Sequence, residues 1–236
     1  MTTATGSFLP EIKEHFIGWD IVADQAEYAV DTDPAVEVLA TAAGAGGVIR
    51  ITMDAGQTNI GGMLIGQTQW DITNGLYYEA RVRLTAIGAA QERTGIWFTD
   101  LQEDTLSEYP FTQTSTALTA VANPEDAVGI FWEGDGPGSW VLAGQNSDSI
   151  TADSIASPKK LVVPVADAWQ VLALSVAPGG NYVTAHVDGV LIGEYKNNST
   201  PVTADVPLIP VFGVTEGATG INFDVDYVWI RTGLAA

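Results

Sequence analysis

The residues with the clearest potential for chemistry lie near the end of the chain, in the stretch INFDVDYVWIRTG at 221–233. Asn222, Asp224 and Asp226 are spaced two apart, so in a strand they project to one side with neighbouring Cα atoms about 6 to 7 Å apart. Retaining glycosidases hold their two carboxyl groups about 5 to 5.5 Å apart, so an active-site strand is one interpretation. The other is a structural strand with these polar residues facing water, and the alternation favours it. The core would then receive Phe223, Val225, Tyr227 and Trp229.

A second candidate is the loop WEGDGPGSW at 132–140. Glu133 and Asp135 lie between Trp132 and Trp140, and this set could form a sugar platform of aromatic rings and carboxylates. The same carboxylates could bind calcium, which prefers oxygen ligands. The alternative, favoured by the turn-forming glycines and proline, is a hairpin whose two tryptophans cap the core. We expect no cofactor apart from calcium as an option.

Other familiar catalytic patterns are missing from the sequence. The only histidines, His15 and His186, stand in no arrangement that reads as a hydrolytic triad. The glycine-rich GAGG at 44–47 is not followed by the Lys-Ser/Thr of a phosphate-binding loop. The absence of cysteine excludes disulfides, thiolate nucleophiles and cysteine zinc sites. We therefore expect no catalytic or metal residues and a protein that is not an enzyme.

The composition limits the partners. With 29 acidic and 9 basic residues, the formal net charge is −20, and such a surface repels phosphate backbones and anionic lipids. No apolar stretch approaches the roughly 20 residues of a membrane-spanning helix. The first residues lack the basic-then-apolar order of a signal peptide. We expect no nucleic-acid or membrane partner and no Sec-type export.

The elements that must position these residues are strands. Short runs rich in β-branched and aromatic residues, separated by glycine and proline, predict about a dozen strands in two packed antiparallel sheets. In LYYEARVRL at 76–84, Glu79, Arg81 and Arg83 share the polar face. Asp188-Gly189 supplies a two-residue hairpin turn. The predicted strands are GVIRITM (47–53), IGGMLI (60–65), LYYEARVRL (76–84), GIWFTD (95–100), AVGIFWE (127–133), SWVLAG (139–144), KKLVVPV (159–165), WQVLALSVA (169–177), NYVTAHVDG (181–189), VLIGEY (190–195), LIPVFGV (208–214) and INFDVDYVWI (221–230).

The start of the chain fits this pattern poorly. LPEIKEHF at 9–16 could form one or two helical turns, beginning near Pro10. We expect residues 1–24 to form an N-terminal arm and residues 25–236 to form the β-sandwich domain. Phe16 and Trp19 are the aromatic anchors through which such an arm would bind a partner. The alternative is that this segment packs as the first strand of its own domain.

The order of strands resembles that of the concanavalin A-like (LamG-like) jelly-roll superfamily over roughly residues 45 to 231. It runs from YYEARVRL through GIWFTD, AVGIFWE and the long hairpin to FDVDYVWI. The resemblance implies an all-β, two-sheet antiparallel jelly-roll sandwich with a short N-terminal arm. Glycosidases of this superfamily use a Glu-x-Asp-x-Glu strand in the middle of the chain. This chain has Asn-x-Asp-x-Asp near its end instead, which leaves the acid/base partner missing.

Within that superfamily, AGGVIRITMDAGQTNIGGMLI resembles structural proteins of tailed bacteriophages. That resemblance implies a virion protein that decorates or cements the capsid. It would bind the major capsid protein as a homo-oligomer, with a trimer as one option, after assembly in the host cytoplasm. The alternatives are a carbohydrate-binding, lectin-like module for host recognition and, less favoured, a glycan-acting hydrolase. Fold alone cannot decide between these functions.

Overall fold

The computed structural model is almost entirely β-structure. It describes residues 11–15, 28–31, 36–41, 47–53, 60–65, 70–87, 93–100, 109–121, 124–147, 149–155, 158–196, 201–203, 206–215 and 222–233. Besides strands, these ranges contain two single-turn 3-10 helices, Ile72–Asn74 and Pro178–Gly180. Within the described ranges, no helix is long and apolar enough to cross a membrane.

One antiparallel sheet, here called sheet A, has eight strands. Seven of them lie side by side in the order β15-β14-β13-β6-β17-β4-β3, and the eighth, β1, pairs with β17. The long strand β17 pairs with β4 through its first residues and with β1 through its last ones. The strands are β1 (Glu11–His15), β3 (Val36–Thr41), β4 (Val48–Met53), β6 (Leu76–Leu84), β13 (Trp169–Val176), β14 (Tyr182–Val187), β15 (Val190–Lys196) and β17 (Asn222–Thr232).

The second sheet, sheet B, has seven antiparallel strands in the order β12-β11-β10-β7-β16-β5-β2. A separate two-stranded hairpin is formed by β8 and β9. The strands are β2 (Tyr28–Asp31), β5 (Ile60–Ile65), β7 (Arg93–Thr99), β8 (Phe111–Gln113), β9 (Leu118–Ala120), β10 (Ala127–Glu133), β11 (Val141–Asn146), β12 (Ser149–Asp153) and β16 (Ile209–Thr215).

The main core lies between the two sheets. In β6 and β13, alternate side chains are buried and point into this core. Large rings dominate this core, so most of the stabilisation comes from burial of apolar area. Its largest members are Trp70, Tyr78, Phe98, Trp132, Trp140, Phe212 and Phe223. The predicted two-sheet jelly-roll architecture is therefore confirmed.

The hairpin between β14 and β15 forms as predicted. Asp188 and Gly189 both have positive φ, at 51° and 75°, as a two-residue turn matched to strand twist requires. The Asp188 carboxylate also accepts a hydrogen bond from the backbone N–H of Val171 at 2.8 Å. This contact ties the turn to the neighbouring strand β13.

Two local predictions are wrong. Residues 159–165 belong to no sheet; they lie in the connection from β12 of sheet B to β13 of sheet A. Leu161, Val163 and Val165 are exposed along this connection. In place of helical turns near Pro10, residues Glu11–His15 form strand β1, because backbone pairing with β17 satisfies their hydrogen bonds.

Strand β1 lies inside the segment expected to be an N-terminal arm. It pairs with β17 in register, with Glu11 opposite Arg231 and His15 opposite Tyr227. Five residues of the segment are thus part of sheet A. Its remaining residues, including the expected anchors Phe16 and Trp19, lie outside the described ranges.

Candidate functional site

The outer faces of the two sheets differ. On sheet B, the outer face carries apolar rings such as Trp97 and Phe131. The β8–β9 hairpin and the residues before it cover these rings, with Phe111 4.8 Å and Tyr109 5.4 Å from Phe131 between ring centroids. Because Trp97, Tyr109, Phe111 and Phe131 are all buried, this covered part of sheet B offers no open site.

The outer face of sheet A is polar, aromatic and half exposed. Strands β1, β4, β6, β13 and β17 bring together a set of charged and aromatic side chains, here called the arginine–aromatic face. Its members are Glu11, Lys13, Arg50, Tyr77, Glu79, Arg81, Arg83, Trp169, Asp224, Asp226, Tyr227, Trp229 and Arg231. The sequence indicated part of it, since the alternation in β6 places Glu79, Arg81 and Arg83 on one side.

Asp224 lies at the buried centre of one network on this face. Its side chain is 0% exposed, between Arg50 on β4 and Arg83 on β6. Arg50 Nε donates to Oδ1 at 2.6 Å and Arg50 Nη2 donates to Oδ2 at 2.9 Å. Arg83 donates to Oδ2 through Nη2 at 2.5 Å and Nε at 3.0 Å. The expectation that Asp224 faces water is therefore wrong, because two guanidinium groups cover it.

Asp226 is separated from Asp224 by an irregularity in β17. The register against β6 shifts between Val225 and Tyr227, which is how a β-bulge changes the side to which later residues point. Asp226 accepts from Arg81 Nη1 at 2.8 Å and is 21% exposed. The two aspartates thus engage different arginines and do not form a carboxylate pair.

The bulge also changes which residues of β17 reach the core. Before it, Phe223 and Val225 are buried; after it, Val228 and Ile230 are buried. The assignment of Tyr227 and Trp229 to the core is therefore wrong. Both lie half-buried on the outer face.

A tyrosine-bound carboxylate lies beside the bulge. Glu79 on β6 accepts a hydrogen bond from the Tyr227 hydroxyl at 2.7 Å and another from the Tyr77 hydroxyl. The pKa of Tyr77 and the pKa of Tyr227 both lie well above the ordinary tyrosine value. Burial is the larger cause, and the hydrogen bond to Glu79 is the second. The Glu79 carboxylate thus links Tyr77 on its own strand to Tyr227 on β17.

Trp169 lies at one end of the face. It stands opposite Arg83 in the β13–β6 register, and the guanidinium carbons of Arg81 and Arg83 lie 4.9 and 4.7 Å from its ring centroid. A tryptophan face attracts such cations through its quadrupole. The ring is thereby held on the sheet surface while it stays partly exposed.

Trp229 lies toward the other end. Lys13 Nζ and the Arg231 guanidinium carbon are 5.2 and 4.8 Å from its ring centroid. Tyr77 meets it edge-on at 5.3 Å. Its indole Nε1 donates to Glu11 Oε1 at 2.8 Å. Strand β1 thus supplies both Lys13 and Glu11 to the face.

The loop at 132–140 has a different structure from a sugar platform. Trp132 and Trp140 are each 2% exposed and fill the core between the sheets, so neither ring can stack on a ligand here. Trp140 Nε1 donates to Gln170 Oε1 at 3.0 Å. The stacking interpretation of these tryptophans is wrong, and the core-capping alternative describes them.

The carboxylates of that loop are divided between two environments. Glu133 points to the outer side of sheet B, where it accepts from Arg93 Nε at 2.8 Å and from the backbone N–H of Gln113. Burial raises its pKa, while Arg93 and the Gln113 N–H act in the opposite direction. Asp135 is exposed. Within the described ranges, no group of three or more acidic or histidine side chains could hold a metal ion.

Three solved structures illustrate what this fold resembles. The metal-free carbohydrate recognition domain of Emp46p superposes with a TM-score of 0.62 at 10% identity, covering 94% of this chain and 96% of that one. A prokaryotic β-1,3-1,4-glucanase (lichenase) from a mouse hindgut metagenome superposes with a TM-score of 0.59 at 10% identity, covering 95% of this chain and 99% of that one. The Bacillus licheniformis β-glucanase superposes with a TM-score of 0.56 at 13% identity, covering 94% of this chain and 97% of that one. No protein-family model and no curated protein matches the sequence.

These likenesses place the chain in a class of fold, the concanavalin A-like jelly roll of lectins and glucanases. They also correct the functional expectation. The prediction of a phage capsid decoration protein is wrong, because the similar structures are carbohydrate-recognition domains and glycan-cleaving enzymes. Since the neighbours include both enzymes and lectins, the fold leaves catalytic activity undecided.

Proposed function

We propose that this chain is a carbohydrate-recognition domain that binds glycans on the arginine–aromatic face and does not hydrolyse them. The observation that carries the proposal is the grouping of half-exposed aromatic rings among charged hydrogen-bonding groups on one sheet. Sugar rings need both partners, since their C–H faces pack on aromatic rings and their hydroxyls exchange hydrogen bonds with polar groups. The rings are Tyr77, Trp169, Tyr227 and Trp229.

The second part of the proposal, binding without cleavage, follows from the state of the carboxylates. A retaining or inverting glycosidase uses two carboxyl groups across the scissile bond. On this face, Asp224 and Asp226 are each paired with arginine, and Glu79 accepts from two tyrosine hydroxyls. An acid, base or nucleophile must be available to the substrate, and these carboxylates are engaged by the protein itself.

A binding experiment with a matched aromatic control tests the proposal. Calorimetric titration with panels of neutral and acidic oligosaccharides should detect binding by the full chain. Trp169→Ala should weaken it about tenfold or more, as for a large aromatic contact. Tyr182→Ala removes an exposed ring near the opposite end of the sheet and should leave affinity unchanged.

Two results would count against the proposal. If no oligosaccharide of either panel binds, or if Trp169→Ala binds like the unaltered chain, the face does not recognise glycans. Release of reducing ends from bound oligosaccharides would contradict the non-hydrolytic part. Circular dichroism of each variant distinguishes a loss of binding from a loss of folding.

A further inference from the structure

We propose that the Trp229 end of the arginine–aromatic face binds the anionic substituent, carboxylate or sulfate, of an acidic glycan through Lys13 and Arg231. The inference rests on the proposed function and adds to it the charge of the ligand. It also gives strand β1 a role in binding, because β1 contributes Lys13.

The positive charge of this acidic protein is unevenly distributed. The chain has 9 basic residues and a formal net charge of −20. Five of the nine lie on the arginine–aromatic face: Lys13, Arg50, Arg81, Arg83 and Arg231. The same face carries four carboxylates, Glu11, Glu79, Asp224 and Asp226, so its formal charge is positive on a chain that is otherwise strongly negative, and this favours recognition of negative charge at that place.

Three of the five cations are already ion-paired with carboxylates of the protein. Arg50 and Arg83 share Asp224, and Arg81 pairs with Asp226. By contrast, among the described residues neither Lys13 nor Arg231 has a carboxylate oxygen within 4.0 Å. Both lie over the Trp229 ring instead. Two cations without an ion-pair partner among the described residues therefore converge on one half-exposed tryptophan.

The carboxylates closest to these cations are held by other donors. Glu11 is opposite Arg231 in the strand register, but it accepts from the Trp229 indole at 2.8 Å. Glu79 is opposite Trp229 and accepts from two tyrosine hydroxyls. The Arg231 Nε is buried without an acceptor among the described residues. The charge of Arg231 is thus available to an external anion through the rest of its guanidinium group.

Aromatic packing fixes the direction of the arginine. The Arg231 guanidinium carbon lies 5.2 Å from the Tyr77 ring centroid and 4.8 Å from that of Trp229. A guanidinium packed against two rings loses little conformational freedom when it binds a planar or tetrahedral anion. The neighbouring rings would pack against the sugar that carries the anionic group. This combination fits a charged sugar better than a free anion.

The test compares oligosaccharides that differ only in charge. Calorimetric titration of the full chain would use oligogalacturonate against its methyl-esterified form, and a sulfated galactan oligosaccharide against the unsulfated one. The acidic member of at least one pair should bind about tenfold more tightly, as expected for a charge-assisted hydrogen bond, and added salt should reduce the difference. The two pairs distinguish carboxylate from sulfate.

Variants then locate the effect. Lys13→Ala and Arg231→Gln should each remove most of the preference, so that the acidic and neutral members of the pair bind with similar affinity. Lys160→Ala, an exposed lysine outside the face, serves as the cationic control and should keep the preference. Since Lys13 is exposed, its removal should not unfold the chain. Lys13→Glu should lower acidic binding further.

The outcomes separate this inference from the proposed function. Equal binding of neutral and acidic oligosaccharides would overturn the inference and leave glycan binding intact. Binding of neither kind would overturn both. Equally tight binding of polyglutamate would also overturn the inference, because it would show a general anion site with no part for the sugar.

Discussion

The buried carboxylate of Asp224 offers the sharpest test of how β17 is built. In Asp224→Asn the shape is almost unchanged, but the negative charge between Arg50 and Arg83 is lost. Two guanidinium groups then lie side by side with only one amide oxygen to accept from them. Repulsion between like charges and the loss of charge-assisted hydrogen bonds both destabilise the folded state.

The magnitude follows from burial. Removing one partner of a buried ion pair costs about 3 to 5 kcal/mol. The arginine side chains are 30% and 28% exposed, so water compensates part of the loss and about 2 to 4 kcal/mol is expected. Asp226→Asn is the matched control. The Asp226 side chain is 21% exposed and its partner Arg81 is 41% exposed, so this substitution should cost under about 1 kcal/mol. For a chain of this size, the Asp224 variant should melt roughly 5 to 15 °C lower.

Urea unfolding followed by tryptophan fluorescence provides the assay. The midpoint for Asp224→Asn should fall at an unchanged slope, which would show that stability has changed and the extent of unfolding has not. Adding Arg83→Met to Asp224→Asn should recover part of the loss, because one of the two facing cations is removed. The reasoning fails if Asp224→Asn is no more destabilising than Asp226→Asn, since Asp224 would then not be a buried counter-ion.

Three other predictions test the remaining features. Trp140→Ala should cost about 3 to 5 kcal/mol of folding stability because it empties part of the core. Trp229→Ala on the outer face should cost about 1 to 2 kcal/mol. If urea midpoints showed the larger loss for Trp229→Ala, Trp229 would be a core residue and the bulge in β17 would be misplaced. Burial lowers the pKa of His186, so the folded protein binds that proton less readily than the unfolded chain and loses stability as pH falls below about 6.5. His186→Gln should therefore show a shallower fall in urea midpoint on acidification than the unaltered chain, and parallel curves would contradict this. Because Glu79 adds to the burial that raises the pKa of Tyr77, Glu79→Gln should lower the tyrosine titration midpoint seen by tyrosinate absorbance, and an unchanged curve would argue against the hydrogen bond.

Features that depend on neighbouring residues were predictable from the sequence. The alternation in 76–84 matches β6 residue for residue, since side chains in a strand project alternately to its two faces. The turn at Asp188 and Gly189 was predictable because positive φ is a property of those residue types. The same alternation indicated that Glu79, Arg81 and Arg83 share a face. Sheet architecture follows from such local preferences when many strands repeat them.

Features that depend on distant partners were decided only by the tertiary structure. The sequence pattern places Tyr227 and Trp229 in the core by continuing the alternation of Phe223 and Val225, but a register shift against β6 reverses the faces. A bulge of this kind arises from pairing with another strand and leaves no signal in the pattern itself.

Burial of the charged residues was equally inaccessible from local pattern. Asp224 is buried because Arg50 and Arg83, 174 and 141 residues away along the chain, meet it on adjacent strands. For Trp132 and Trp140, turn chemistry favoured the core over a sugar platform, and the packing of the two sheets decides it by enclosing both rings. Alternation specifies which side chains share a face of a strand. Only the packing of sheets, and the charges that neighbouring strands bring opposite one another, specify which face meets water.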